Sequence, residues 1–422
     1  MKKIFLICLL FGCLSRQVSA RDDSAENSFT GLELPVVKSE DCDWVFDQLE
    51  VTQAWDLLRR KGFTRPGENV TMAHLDTGVI PLQSLLYTYK ASNGESGLQL
   101  SGGGSASLQL NLVQNQKLAW DNDPKALSFG HGTSTASLMI GWSSQGEISP
   151  SGFRGLAPWL RFIPIKVTDS VLMVGNMSTG GSADLKNLAA GIRLAAQLRA
   201  EIISISLGAL FDNEGLIKTA VREALDGGAI IVAAAGQTFP VNMIPLPARL
   251  SGVIAVTASA KDKTPWRDAF VGRHIAWSAP GAGICHIKAN PVNNSADPIA
   301  LGNPIIALTG RRGENLRFSE SLVSSSGTSY STAYTAAAAA LWLQFHSSSK
   351  LRALYGARNI SALFAAVAKR HAMERPADWK SEKHGQGILN IRKLIEAPLP
   401  CSSEDTRETC EVKLSRFLSF TP

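Results

Sequence analysis

Three residues, Asp76, His131 and Ser329, have the types and settings that a serine-nucleophile mechanism requires. A serine hydroxyl is a weak nucleophile until a base removes its proton, and imidazole is the side-chain base suited to neutral pH. A carboxylate beside the imidazole fixes its tautomer and stabilises the imidazolium that forms. The sequence therefore predicts a hydrolase in which Ser329 attacks, His131 transfers the proton and Asp76 orients the imidazole.

Each of these residues lies in a short run that predicts an exposed, sharply turning backbone. Asp76 follows the apolar run 70–75, the histidine lies in Gly130-His131-Gly132, and the serine ends Gly327-Thr328-Ser329. The Ala-rich sequence after the serine predicts a buried helix, whose N-terminus favours a developing negative charge. Taken singly, the same residues are also typical of a strand-end turn, a helix start and a helix cap.

Apolar strands that alternate with helices must position these side chains. We predict strands at residues 70–75, 160–167, 202–207, 229–235 and 253–258, and helices at 51–60, 185–199 and 216–225. Continuously apolar strands separated by helices indicate an α/β fold with a parallel sheet covered on both faces. Ligands bind beyond the carboxyl ends of such strands, so Asp76, Gly208 and Gln237 are expected to converge.

The remaining sequence is less regular. Residues 291–320 are predicted to be loop-rich, 352–371 to form one or two helices, and 388–395 to form a last helix or strand. We divide the chain into a signal peptide (1–20), a short polar segment (21–43), a catalytic domain (44–397) and a tail (398–422).

The N-terminus has the features of an export signal. Lys2 and Lys3 precede the apolar run 4–14, and small residues at 18–20 suit a cleavage site. An apolar run of about ten residues is too short to span a bilayer, so no membrane span is expected after signal removal. The alternative is lipidation of Cys13, because residues 10–13 resemble a lipoprotein box. We expect a periplasmic or secreted protein.

Composition excludes one class of partner. The 422 residues are 45% hydrophobic and 18% charged, which is typical of a globular protein. The net charge of +6 owes half its value to Lys2, Lys3 and Arg16, and no dense basic patch with interleaved aromatics is present. No nucleic-acid partner is expected.

Four cysteines remain after the signal: Cys42, Cys285, Cys401 and Cys410. In an exported chain they favour disulfides, for which three pairings are possible. Cys401–Cys410 is the local candidate, and free thiols are the alternative.

Together these motifs resemble the subtilisin-like serine protease (subtilase) family over about residues 44–397. The resemblance is carried by residues 75–78, 130–134 and 327–329, and by the lesser matches 155–158, 204–208, 233–236 and 279–281. It implies a three-layer subtilisin-like fold, with a mainly parallel sheet and helices on both faces. It also implies an exported serine endopeptidase that cleaves peptide or protein substrates through an acyl-enzyme intermediate.

The resemblance extends to substrate-binding residues. Ser206, Leu207 and Gly208 match the strand that pairs with substrate backbone and lines one wall of the primary pocket, and Ala234-Ala235-Gly236 matches the opposite wall. Small apolar walls without an acid favour a large apolar side chain over a basic one.

One catalytic position departs from the family. The residue after Gly236 is usually an Asn whose amide donates to the oxyanion, and here it is Gln237. Glutamine keeps the NH₂ donor on a side chain that is one methylene longer, so Gln237 is a candidate donor beside the Ser329 N–H.

Two further expectations concern ligands and folding. The resemblance implies that catalysis requires no cofactor. Structural calcium stays possible, but loop 142–154 contains Glu147 and no Asp or Asn, so no metal ligand is assigned. Residues 21–43 are also shorter than the family's usual folding prodomain, which suggests folding without one or with an accessory chaperone or activating partner.

Two rival functions stay open. Gln237 and the short N-terminal segment motivate an inactive or partner-dependent binding protein on a protease scaffold. A processing protease dedicated to one partner is the other possibility.

Overall fold

The computed structural model describes residues 42–86, 97–98, 109–142, 153–173, 183–212, 215–237, 242–292, 306–309, 315–402 and 404–419. Its helices are α1 (Trp44–Leu49), α2 (Val51–Arg60), α3 (His131–Ile140), α4 (Ala183–Gln197), α5 (Leu216–Asp226), α6 (Thr328–His346), α7 (Ser348–Tyr355), α8 (Ile360–His371), α9 (Ser381–His384), α10 (Ile391–Glu396) and α11 (Arg407–Ser419). Its strands are β1 (Thr71–Asp76), β2 (Gly97–Leu98), β3 (Arg161–Lys166), β4 (Leu172–Met173), β5 (Ile202–Ile205), β6 (Gly208–Ala209), β7 (Ile230–Ala234), β8 (Ile254–Ser259), β9 (Ile275–Pro280), β10 (Ile284–Pro291), β11 (Ile306–Thr309), β12 (Asn315–Ser325), β13 (Met373–Glu374) and β14 (Ile388–Leu389).

A mainly parallel sheet forms the centre of the fold. Within the described segments it has nine strands in the order β13-β14-β9-β8-β7-β5-β1-β3-β2. Strand β1 lies between β3 and β5 and is parallel to both. At the far edge, β14 is parallel to β9, and β13 pairs antiparallel with β14. The carboxyl ends of β1, β5 and β7 therefore meet at one edge, as the alternation of strands and helices predicts.

The two faces of this sheet bury separate hydrophobic cores. Met72 packs into a core that contains α3 and α6, whereas Ala73 and Leu75 pack into a core with α4 and α5. Successive side chains of a strand point to opposite faces, so a continuously apolar strand supplies both cores. The predicted three-layer α/β architecture is confirmed.

Helix α6 crosses the sheet within the first core. The side chains of Ala336–Ala340 are fully buried, and the helix packs against β5, β7, β8 and β9. Alanine has the strongest helix propensity and the smallest side chain, which lets the helix approach the strands closely. The predicted buried helix is confirmed, and Ser329 lies in its first turn.

The prediction for residues 291–320 was partly wrong. Strand β12 begins at Asn315 and pairs antiparallel with β10 and β11 in a small separate sheet. Phe318, Leu322 and Val323 are buried on this strand, but its few apolar residues are spaced too irregularly among polar ones for the sequence to predict a strand. Residues 293–305 and 310–314 of the predicted loop lie outside the described segments.

The C-terminal part contains more regular structure than its sequence suggested. Residues 352–371 contribute to α7 and α8, and 388–395 hold both strand β14 and helix α10. Helix α11 follows, with Cys410 and Leu414 buried.

Two disulfides join the four expected cysteines. Cys401 bonds Cys410, as predicted, and Cys42 bonds Cys285 on β10. The signal peptide, Cys13 and most of the polar segment 21–43 lie outside the described residues. Within the described part of the chain, no helix combines the length and apolar character needed to cross a bilayer.

Candidate active site

The predicted triad residues come from three separate elements. Asp76 is the last residue of β1, His131 is the first residue of α3, and Ser329 is the second residue of α6. The structure brings all three together at the carboxyl edge of the sheet.

A continuous hydrogen-bond chain connects them. His131 Nδ1 lies 2.7 Å from Asp76 Oδ1, and His131 Nε2 lies 3.0 Å from Ser329 Oγ. With Nδ1–H donating to the carboxylate, Nε2 is left unprotonated and accepts the serine hydroxyl. The same hydroxyl lies 3.1 Å from the backbone oxygen of Ser206, which is an alternative acceptor.

Charge and burial shift the pKa values of both Asp76 and His131. Burial opposes ionisation of Asp76, but the charge and hydrogen bond of His131 outweigh it and hold the pKa of that carboxyl below its usual value. Burial also disfavours the imidazolium of His131, yet the charge and hydrogen bond of Asp76 raise the pKa of the imidazole above 6.5. Asp76 is therefore held ionised, and its charge favours proton uptake by His131, as a general base requires.

The turn after β1 and the first turn of α3 approach each other so closely that Gly132 must be a glycine. A Cβ at Gly132 would lie 2.1 Å from the backbone oxygen of Gly78 and 3.1 Å from the Cβ of Asp76. No other residue could place His131 beside Asp76 in this way. This contact explains the glycine that follows the histidine in the sequence motif.

A second histidine lies behind the carboxylate. His74 is buried, its Nε2 lies 3.4 Å from Asp76 Oδ2, and it contacts Thr135 Oγ1 at 2.9 Å. Burial lowers the pKa of His74 to about 4, so its ring is neutral at physiological pH. Sequence analysis missed this contact because the residue reads as one polar position in a buried strand.

Gln237 has a fixed amide orientation. The Thr328 backbone N–H donates to Gln237 Oε1 at 2.6 Å, and the Thr328 hydroxyl donates to the same oxygen at 3.2 Å. An N–H donor requires the amide oxygen on that side, so the NH₂ group is the free end of the amide. Gln237 also lines the cavity beside Ser329.

A cavity of about 340 Å³ opens next to the serine. Apolar side chains dominate its lining: Val171, Leu207, Leu210, Ala234, Pro245 and Phe270. Neither Asp nor Glu, nor Lys nor Arg, is among the described residues that line it. Val171, Leu210, Pro245 and Phe270 were not identified from the sequence, because they follow no motif.

Five of the six predicted wall residues line the cavity, and one does not. Ser206, Leu207 and Gly208 line the cavity, and so do Ala234 and Gly236. Ala235 instead points into the core and is fully buried, while its N–H donates to the backbone oxygen of Val256. Ala235 is therefore the one predicted wall residue that does not line the cavity.

The strand edge expected to receive a peptide is partly paired within the chain. Strand β4 pairs in parallel with β6, and the Gly208 N–H donates to the Val171 backbone oxygen at 2.9 Å. An added strand that uses the Gly208 N–H must first displace this hydrogen bond.

Tyr330, the residue after the serine, belongs to a buried cluster of hydrogen-bonded polar side chains. Tyr330 stacks on His286, whose Nε2 lies 2.8 Å from Ser325 Oγ and 3.1 Å from the Tyr330 hydroxyl. Burial lowers the pKa of His286 to about 4 and raises that of Tyr330 to about 12. Both groups are therefore neutral hydrogen-bonding partners.

Loop 142–154, in which the sequence assigned no calcium ligand, is only partly described. Residues 143–152 of loop 142–154 lie outside the described segments. Among the residues that the structure describes, no group of three or more His, Cys, Asp or Glu side chains could hold a metal ion.

Comparison with known proteins identifies the family. The model of Peptidase S8, the subtilase family, matches residues 67–376. The minor extracellular protease Epr of Bacillus subtilis is 28% identical over 58% of this chain and 31% of its own length. Thermitase of Thermoactinomyces vulgaris is 26% identical over 64% of this chain and 84% of its own length.

A solved structure shares the fold. MycP1 of Mycobacterium smegmatis aligns with a TM-score of 0.57 over 86% of each chain, at 22% sequence identity. At this identity the likeness concerns the fold alone.

Proposed function

This chain belongs to the subtilase family of peptidases, and on that basis we propose that it is a serine endopeptidase with Ser329 as nucleophile. The observation that carries the proposal is the hydrogen-bond chain from Asp76 through His131 to Ser329, with distances of 2.7 and 3.0 Å. Both distances lie in the range over which a nucleophile and its base act together.

The chemistry follows from this geometry. Ser329 Oγ attacks the scissile carbonyl carbon while His131 Nε2 takes the hydroxyl proton, and Asp76 stabilises the imidazolium. The tetrahedral intermediate collapses, and His131 returns the proton to the leaving amine. Water then attacks the acyl-enzyme with His131 again as base, which releases the acid and restores the serine. Each proton moves between side chains, substrate and water, so we propose that catalysis needs no cofactor.

Gln237 is proposed as one oxyanion donor. Its oxygen accepts from Thr328, which leaves the NH₂ group as the available donor, and Gln237 lines the cavity beside Ser329. The Ser329 backbone N–H at the start of α6 is the second proposed donor. Two donors aimed at the oxygen on which charge develops stabilise the transition state more than the substrate.

The substrate is proposed to be a polypeptide with a large apolar residue before the scissile bond. The cavity beside Ser329 holds about 340 Å³ and is lined by apolar groups such as Leu207 and Phe270. The described residues that line the cavity include no carboxylate to pair with a cationic side chain, and burying an unpaired charge has a considerable free-energy cost.

Export is proposed on two grounds. The N-terminal 20 residues have signal-peptide character, and all four cysteines outside that segment are disulfide-bonded. Disulfides persist in oxidising compartments. Anchoring through Cys13 remains the alternative location.

The rival function is a binding protein, or a protease that awaits a partner or accessory chaperone. It is favoured by Gln237 at the oxyanion position and by the β4–β6 pairing at the substrate edge. A partner that displaces β4 would free the Gly208 N–H and activate the enzyme.

Peptide hydrolysis tests the proposed activity. We expect the purified protein to cleave peptides with Phe, Leu or Met before the scissile bond, and to cleave matched Lys or Arg peptides at least about tenfold more slowly. Ser329→Ala should abolish both activities. A basic preference would overturn the substrate class, and equal hydrolysis by Ser329→Ala would overturn the nucleophile. Cleavage of casein as well as peptides would argue against an enzyme dedicated to one partner.

A further inference from the structure

A buried carboxylate behind the triad has no role in the scheme above. Asp121 lies in the segment before α3, and its side chain has no solvent exposure. We propose that Asp121 is a positioning residue that locks the turn carrying Asp76 to the helix start carrying His131. This proposal rests on the proposed function, because it assigns Asp121 to the alignment of that same triad.

The first contact of Asp121 is with the His131 side. Its Oδ2 accepts the Gly130 backbone N–H at 2.7 Å. Gly130 is the N-cap of α3 in a left-handed conformation with φ of 78°. Because glycine has no side chain, it cannot cap the helix itself. Asp121 thus fixes the residue directly before His131 by a charge-assisted hydrogen bond.

The second contact is with the Asp76 side. The same Oδ2 accepts the Thr77 hydroxyl at 2.9 Å, and Thr77 Oγ1 in turn accepts the Gly132 N–H at 3.1 Å. The Thr77 backbone N–H donates to Asp76 Oδ1 at 2.7 Å. One carboxylate oxygen therefore connects the residues that flank both triad members.

A buried lysine completes the arrangement. Lys166 Nζ donates to the Thr77 backbone oxygen at 2.6 Å, lies 2.6 Å from Asp169 Oδ1, and is 3.7 Å from Asp121 Oδ1. Burying such charges is expensive, and replacing a buried ion pair by apolar groups is often neutral or stabilising. Stability alone gives little reason for Asp121 and Lys166 here, whereas fixing the Thr77 turn does.

The expected effect of losing Asp121 is misalignment with the triad side chains still present. A displacement of about 1 Å in a catalytic group can cost on the order of 100-fold in rate. The loss should appear in kcat rather than in KM, because Asp121 does not line the cavity beside Ser329.

Asp121 also affects the base electrostatically. The groups that face His131 are Asp76, Asp121, His74 and His286. The two histidines are neutral above pH 5. Burial raises the pKa of Asp121 to about 6, so its carboxyl is charged above that pH, and this charge, like that of Asp76, raises the pKa of His131. Removing the Asp121 charge should therefore lower the pKa of His131.

The test compares Asp121→Ala and Asp121→Asn with wild type. The measurements are the rate constant of fluorophosphonate labelling from pH 5 to 9, and kcat and KM on one peptide. We expect labelling by Asp121→Ala to slow about 100-fold, with its pH midpoint moved to lower pH. Asp121→Asn keeps an acceptor oxygen without the charge, so it should recover part of the rate but show the same shift in midpoint.

A stability-matched control separates alignment from general destabilisation. Asn390 is fully buried and bonds Glu50 and Glu374, neither of which is a triad residue. Asn390→Ala should lower the unfolding midpoint without moving the pH midpoint of labelling.

Each outcome has a distinct meaning. Asp121 variants that label within about twofold of wild type at an unchanged pH midpoint would overturn the positioning role. If Asp121→Ala does not fold, the isosteric Asp121→Asn decides. A folded wild type that does not label would instead overturn the proposed function, and the positioning role with it.

Discussion

At Ser329, small differences in position decide between a reactive and an ordinary hydroxyl. Its oxygen lies 3.0 Å from His131 Nε2 and 3.1 Å from the Ser206 backbone oxygen, so two acceptors compete for one hydrogen. A substrate strand that pairs with the Ser206 oxygen would remove the second acceptor. The hydroxyl would then be committed to His131, which couples substrate binding to activation of the nucleophile.

The Gln237 donor is testable by substitution. Gln237→Ala removes the NH₂ group and should lower kcat by about 10²–10³-fold with little change in KM, since one oxyanion donor contributes about that much. Gln237→Asn is the matched variant, because it keeps the amide on a shorter side chain. An unchanged kcat in Gln237→Ala would show that this amide is not the donor.

The three residues proposed as the triad could be identified from the sequence, but the groups that contact them could not. Asp76, His131 and Ser329 lie in local motifs whose residue types match their chemistry. Asp121 and His74 have no such motif, because their partners become neighbours only when β1, β3 and α3 pack together. Their roles depend on tertiary distances of 2.7–3.4 Å that no local pattern encodes.

At the scale of elements, most of the site follows from parallel strands that end at one edge. Strands β1, β5 and β7 lie within one or two residues of their predicted bounds, because continuous apolar runs between helices have few other interpretations. Strand β12 and helix α11 were missed. Both carry more polar than apolar residues, so their structure depends on pairing with β10 and on packing around Cys410.

The two disulfides should differ in their contribution to stability. Cys42–Cys285 closes a loop with a sequence separation of 243, and Cys401–Cys410 closes one with a separation of 9. Restricting the unfolded chain gives about 5 kcal/mol for the long loop and about 3 kcal/mol for the short one. Urea unfolding of the two double-serine variants measures the difference. A smaller loss of stability for the Cys42–Cys285 variant would contradict this ranking.

At the scale of the whole molecule, two cores built on one sheet also bury titratable groups. His74 and His286 are almost fully buried, and burial lowers the pKa of each to about 4 from the ordinary 6.5. The unfolded chain therefore binds more protons than the native protein between these values. Each of these histidines should lower stability by on the order of 3 kcal/mol as pH decreases from about 6.5 to 4. Asp121 acts in the opposite sense, because burial raises its pKa to about 6 and the native protein retains its proton in that window.

Urea unfolding between pH 4 and pH 8 checks this dependence. His286→Gln should make stability fall less steeply than in wild type in that window, because one buried neutral imidazole is removed. His74 and His346, whose pKa burial also lowers to about 4, remain in the variant. His274→Gln changes an exposed histidine and serves as the control. If His286→Gln loses stability as steeply as wild type between pH 6.5 and 4, the buried neutral state of the His286 side chain would be contradicted.

The most direct test of the central claim is to locate the residue that a fluorophosphonate modifies and to follow the labelling rate against pH. We expect a single adduct on Ser329 that is absent in Ser329→Ala and strongly reduced in His131→Ala. Because His131 must be neutral to act as base and Asp76 raises its pKa, half-maximal labelling should occur above pH 6.5. Labelling at another residue, or no labelling of the folded wild-type protein, would contradict the account.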